Sequence, residues 1–221
     1  MNHEVGAQVA RLYRELDAHI ASFQGATGLR CPAGCGQCCE SPEVETTPLE
    51  MLPMALEIWR SQKAHLWLDK TYEADNRCVF YQPDEFTAGN GRCLMYLWRP
   101  TICRLFAFAT VDDKQGRPRL AACIRHKQVM AEEVAMAQVA IAQGLSAPNF
   151  SDWQARVAGL LPQWGYHQMP INQALQVAIN HVGLLIGYET ADLAESRLSD
   201  QPLDSAKMKS ENLEETMNSS P

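Results

Sequence analysis

The sequence predicts an α+β protein, with a cysteine-rich metal-binding core of short strands wrapped by helices from both ends of the chain. Three observations predict it. Apolar residues recur at helical spacing near both ends. The middle consists of short strand-like runs separated by turn residues. Eight cysteines lie between residues 31 and 123, four of them within nine residues.

Residues 3–24 read as an amphipathic helix, with Val5, Val9, Leu12, Leu16, Ile20 and Phe23 on one face and Gly25 and Gly28 at its end. Residues 29–41 form a Cys- and Gly-rich loop without periodicity. Thr47-Pro48-Leu49-Glu50 is a capping box with proline at the first helical position, and its helix is expected to reach Ser61 with a kink or delay at Pro53. Cys78–Tyr81 and Cys93–Tyr96 are expected strands on either side of the Asn90-Gly91 turn. Asp112–Gly116 is a second turn with a strand on each side. A single helix is expected over 123–143, stopped by Gly144, then helices near 152–161 and 171–187. The polar segment 196–221 reads as a disordered tail. This gives an N-terminal helix (1–28), a cysteine-cluster domain (29–126), C-terminal helices packed on it (127–195) and the tail.

At 221 residues the chain can bury a substantial core, and no apolar run is long enough to span a bilayer. The N-terminus lacks a basic, then apolar, secretory pattern, so a cytoplasmic location is expected. In a reducing compartment clustered cysteines bind metal or do redox chemistry more often than they form disulfides. A net charge of -7 argues against general nucleic-acid binding. The charge is uneven: residues 77–125 hold seven Arg and one Lys against four acids.

Cys31-x3-Cys35-x2-Cys38-Cys39 is the strongest feature, and Gly34 and Gly36 flank its second cysteine. Glycines let several sulfurs turn toward one point, and thiolates at these separations suit zinc or an iron–sulfur cluster. In an extended segment Cys38 and Cys39 would point to opposite sides. They then serve two neighbouring centres, or one ligates while the other packs. Cys78, Cys93, Cys103 and Cys123 are spaced too widely for a zinc knuckle. Their setting favours them as ligands: Arg30, Arg77, Arg92 and Arg104 each adjoin a cysteine, and Arg125 lies two residues from Cys123. Guanidinium groups offset thiolate charge and lower thiol pKa values. Arg99 and Arg104 are the candidates to support the metal ligands from behind.

The combination of Cys31–Cys39, Cys78-Val79-Phe80 and the run from Cys93 through Arg99-Pro100 to Cys103-Arg104-Leu105-Phe106 resembles the cysteine-cluster family typified by YkgJ, a zinc- or iron-chelating domain. The resemblance covers roughly residues 29–126. It implies Cys31, Cys35, Cys38, Cys39, Cys78, Cys93 and Cys103 as metal ligands, with Cys123 as the eighth. Family members often carry a further cysteine soon after the one matching Cys103, where this chain reads Leu105-Phe106-Ala107-Phe108. The family includes relatives of a flagellin lysine methylase, but no methyl-donor site is evident here, and that activity does not carry over.

Among other residues, His126 lies three positions beyond Cys123 and is expected at the surface, as are His65, His167 and His181. The five tryptophans, together with Met51 and Met54, read as packing residues. No phosphate-binding glycine loop, His-Glu-x-x-His or nucleophile elbow occurs. Metal binding is therefore the expected function, and three roles stay open. The metal is structural in a module with a protein partner, an iron–sulfur centre serves redox or protein-modification chemistry, or the protein handles and delivers metal.

Overall fold

The computed structural model describes residues 3–199, with side chains described from residue 4 to residue 187. Helix α1 (His3–Thr27) buries Val9, Tyr13, Leu16, Ile20 and Phe23 as one stripe. It runs three residues past its expected end and stops at Gly28, whose φ of +75° is the left-handed turn that commonly follows a helix. α2 (Pro48–Arg60) begins as expected. Thr47 Oγ1 accepts from Glu50 N at 3.3 Å and Glu50 Oε2 accepts from Thr47 N at 3.2 Å. The helix continues through Pro53, and Met51 and Met54 are buried on it. α1 packs on α2 closely enough that a Cβ at Gly6 would lie 2.5 Å from Leu56 Cδ1.

A further helix, α3 (Ala64–Glu73), was not expected from the sequence; it buries Ala64, Trp67 and Thr71 at helical spacing. Before α2, strand β1 (Glu45–Thr46) pairs antiparallel with the distant β6 (Met169–Pro170). The central hairpin is displaced from its expected position. β2 (Tyr81–Pro83) and β3 (Gly91–Cys93) pair with Tyr81 opposite Cys93, whereas Cys78 sits in a turn closed by Tyr81 N donating to Cys78 O. Pairing stays next to the connecting loop because Asp84 Oδ1 accepts from Phe86 N and Thr87 N, and Asn90 O accepts from Asp84 N. Past Cys93 the chain leaves the hairpin and turns into a 3-10 helix (Tyr96–Trp98).

α4 (Thr101–Leu105) follows. β4 (Thr110–Asp112) and β5 (Pro118–Leu120) then form the expected hairpin. The expected helix over 123–143 is two helices, α5 (Ile124–Val129) and α6 (Ala131–Ala142), broken at Met130 with φ −139° and ψ 41°. Tertiary contacts hold the two pieces separately. Arg125 donates to Gly89 O and Asn90 Oδ1, while Gln138 Oε1 accepts from Leu120 N. Gly144, at φ +98°, ends α6 as expected. α7 (Phe150–Ala158) starts behind an Asn149 cap, α8 is Pro162–Gly165, and α9 runs Ile171–Ser199, well beyond its expected end at 187. Residues 196–199 of the expected tail are helical, and the rest of the tail lies outside the described residues.

Among the described residues the fold is α+β, with nine α-helices and three two-stranded antiparallel sheets. One apolar cluster joins Leu16, Ile20 and Phe23 of α1, Leu105 of α4, Ile141 of α6 and Trp153 of α7 with Leu29 and Phe108 of the connecting segments. The chain divides into two units, one ending at Gly183 and the other starting at Leu184 within α9. No described helix is long and apolar enough to cross a membrane.

Candidate metal centre

The first four cysteines are held by backbone pairing rather than by a core of their own. Cys35 bridges to Asn90, Gly36 N donates to Gly89 O at 3.0 Å, and Gly91 N donates to Gly34 O at 2.9 Å. The loop thus lies along the β2–β3 hairpin as a partial third strand. Gly36 makes the approach possible, since a Cβ there would lie 2.9 Å from Gly91 N. Gly34 takes a left-handed φ of +69° that favours glycine. Cys38 and Cys39 are not in an extended segment. They share a 3-10 turn (Gln37–Cys39), in which neighbouring side chains diverge less than in a strand.

The other four arrive from separate elements. Cys78 is set by Asn172 of α9, whose Oδ1 accepts from Val79 N and whose Nδ2 donates to Asp75 O and Arg77 O. Cys93 ends β3, and Cys103 lies in α4. The α4 N-terminus is tied to buried Glu50, whose Oε1 accepts from Thr101 N at 3.2 Å and whose Oε2 accepts from Thr46 Oγ1 at 2.7 Å. Cys123 caps α5, its Sγ accepting from His126 N at 3.3 Å.

All eight cysteines line one or both of two cavities. The larger, about 220 Å³, is walled by Cys31, Cys35, Cys38, Cys103 and Cys123. The smaller, about 40 Å³, is walled by Cys38, Cys39, Cys78, Cys93 and Cys103. Arg99 lies in the wall of both. No disulfide joins any of the eight. Among the described residues, no three Cys, His, Asp or Glu side chains stand close enough to hold an ion as they are placed. The chemistry of the donor set nevertheless suits a soft metal: free thiols lining the cavity walls, beside a guanidinium.

Burial governs the thiols. It pushes Cys31 up to about 11, with Cys35, Cys38 and Cys123 adding to the rise, and it pushes Cys78 up to about 12. Cys93 and Cys103 are raised for the same reason. Cys38 and Cys39 interact directly. Their contact lowers Cys38, with help from Arg99, and raises Cys39. Of this pair, Cys38 is the thiol that ionises first.

Arg99 and Arg104, paired in the sequence reading, have different surroundings. Arg99 stacks on Tyr96 at 3.5 Å from the ring centroid and donates to Tyr96 O and Cys103 O. Its charge lowers the pKa of Cys31, Cys38, Cys93 and Cys103. Arg104 is buried, pairs with Asp17, and donates to Arg99 O and Leu97 O while lying over the Tyr13 ring. It braces the backbone that carries Arg99. Sequence adjacency to a cysteine is a poor guide here: Arg77 pairs with Asp75, Arg92 donates to Gln82, and Arg125 clamps the 89–90 turn.

His126, expected at the surface, is fully buried, edge-on to Phe108 at 5.5 Å. Its ring nitrogens face the Arg30 and Ala107 backbone without reaching hydrogen-bonding geometry, and burial lowers its pKa. It lies in the first turn of α5, where its backbone N donates to the Cys123 cap and its ring packs on Phe108. His181 is half-buried against Trp164 at 4.7 Å, whereas His65 and His167 are exposed as expected. Sequence reasoning did not single out Asn172 or the long-range role of Glu50. The capping box marked Glu50, but nothing local marked its bond to Thr101.

Eight free thiols thus line two cavities, with the Arg99 guanidinium in their common wall. Residues 30–137, a little under half of the chain, match the CxxCxxCC family, described as a "Putative zinc- or iron-chelating domain". The first spacing here is one residue longer than the family name indicates, and the gap holds Gly34. No curated protein and no solved structure matches the chain.

Proposed function

We propose that this is a cytoplasmic protein that binds zinc or an iron–sulfur cluster through its cysteines, the metal ordering a module that engages a protein partner. The observation that carries the reading is the gathering of all eight free thiols at two cavities with Arg99 beside them. A structural role is supported by the segments that bear the cysteines. Between α1 and α2, and between α3 and α4, the chain has only strands of two or three residues and 3-10 turns. Such segments have little core of their own, so ligand bonds contribute directly to their folding. Free thiols in this number suit a reducing compartment.

Anaerobic purification followed by zinc, iron and sulfide analysis tests the proposal. Metal retained through gel filtration is expected, with a broad absorption near about 400 nm if the centre is iron–sulfur and none if it is zinc. A chain that retains no metal, and takes up neither zinc nor iron with sulfide, refutes the reading.

A further inference from the structure

We propose that the chain associates with a second copy of itself, the exposed face of α6 in one copy seating in a groove beside α3 of the other. This goes beyond the reading above, which leaves the protein partner open, and it does not depend on metal.

α6 is apolar on both sides. Toward the interior it buries Ala137 and Ile141, and Val134 packs against the same cluster. The outward side of a surface helix is ordinarily polar. Here it exposes Ala135, Met136 and Val139, with Met136 60% and Val139 56% exposed. Glu132 lies four residues before Met136 and seven before Val139, so the three share one face. Glu132 and its neighbour Glu133 are the only charged residues of the helix. The face therefore joins an acidic first turn to an apolar ridge.

The groove has a volume of about 510 Å³ and lies between the end of α2, α3 and the 3-10 helix Tyr96–Trp98. Ile58, Trp67, Leu94, Leu97 and Trp98 line it. Leu94-Met95-Tyr96-Leu97-Trp98 is an unbroken apolar run, and Leu97 is 77% exposed. On the α3 side the groove is basic. Lys63, four residues before Trp67, is in the wall, and Lys70, three residues after it, holds its Nζ 4.7 Å from the Trp67 ring centroid. Helical spacing puts both lysines on the Trp67 face and Asp69 on the opposite one, while Glu73 lies at the far end of the helix from Lys63. Glu57 is the acid in the wall, and Arg60 donates to both its oxygens at 2.7 Å. Among the described residues, Lys63, Lys70, Glu132 and Glu133 form no ion pair.

An acidic, apolar helix face thus complements a basic, apolar groove, with anchors at the i, i+4 and i+7 spacing by which a helix docks. Apolar side chains scattered singly on a surface are ordinary, but contiguous ones mark contact sites. A single kind of contact covers both surfaces. Each copy offers one helix and one groove, so the copies join head to tail, closing as a pair when the contact is mutual. Cys93 lies in the wall of this groove and of the smaller cysteine cavity, so a seated helix shields that thiol.

Light scattering on the full chain, with reductant present and across a wide range of concentration, tests the proposal. The mass of the wild type should rise above the 24.7 kDa of one chain as concentration increases. Two charge-reversed proteins identify the surfaces. Lys63→Glu with Lys70→Glu makes the groove acidic, and Glu132→Lys with Glu133→Lys makes the helix face basic. Each protein alone sets like charges against each other and should stay at the single-chain mass, with thermal melting showing that it is folded. Mixed together, the two are complementary at both contacts and should associate again. A wild type that stays single at every concentration overturns the proposal and leaves these faces to a different partner. Association that survives in either reversed protein, or that mixing does not restore, places the contact elsewhere and overturns it as well. Metal content measured on the same samples keeps this result separate from the metal-binding reading.

Discussion

Replacing Arg99 with glutamine removes a positive charge that acts on Cys31, Cys38, Cys93 and Cys103 while keeping a polar, though shorter, side chain. Loss of a group that supports metal ligands from behind lowers affinity about 10- to 100-fold, or about 1.4–2.7 kcal/mol. Shared among four thiols, that is about a quarter to a half of a pKa unit each. Arg99 is half-buried, so solvent screening favours the lower end of the range. The sign follows from the direction of the shifts. Arg99 depresses these pKa values, so its removal raises them and protons compete better with metal. For Cys38, which its contact with Cys39 and the Arg99 charge hold below the ordinary thiol value, the loss is greatest at low pH and fades as pH rises past the variant's higher pKa. Competition titrations against a chromogenic chelator, from about pH 6 to about pH 9, measure it. Arg99→Lys should restore part of the affinity, because it keeps the charge but loses the planar stack on Tyr96. Arg104→Gln should behave differently, lowering thermal stability by unpairing Asp17 and two carbonyls, with no comparable pH dependence. If Arg99→Gln binds metal like the wild type at every pH, or Arg104→Gln reproduces the pH-dependent loss, the electrostatic argument is wrong.

Glu50→Ala deprives Thr46 Oγ1, Thr47 N and Thr101 N of their acceptor in a buried site, which should cost about 3–5 kcal/mol and lower Tm by roughly 10 °C. Glu50→Gln keeps an acceptor and should cost clearly less by the same melting measurement. Gly36→Ala forces the cysteine loop away from Gly91 and should cost about 1–3 kcal/mol, with weaker metal retention; an unchanged Tm and metal content would show that the loop does not lie along the hairpin. Metal removal should speed amide exchange in the 31–39 loop and in the 74–100 segment while α1 and α2 stay protected, as read by hydrogen-exchange mass spectrometry. Uniform exchange before and after verified chelation would mean that metal does not order these segments.

Much of this protein is determined locally and was legible in its sequence. The stripe from Val9 to Phe23 specifies α1, because residues three and four apart share a helix face whatever lies opposite. The Thr47–Glu50 capping box specifies the start of α2 within one turn, and Asp113 with Gly116 specifies the β4–β5 turn. The cysteine run also marks the segment that matches the zinc- or iron-chelating family model.

What only the tertiary structure decided involves partners far apart in the chain. The break at Met130, the inward turn of His126 and the short reach of β2 and β3 all depend on neighbours that spacing does not reveal. Arg77 and Arg92, each beside a cysteine in sequence, bond to Asp75 and Gln82, whereas Arg99, four residues before Cys103, lines both cavities. Local periodicity reports which side of an element is apolar, but not which element covers it. A site assembled from a loop, a hairpin and two short helices is therefore set by packing. Its candidate donors can be named from the sequence, but where each one sits depends on long-range contacts such as Glu50 with Thr101 and Asn172 with Val79.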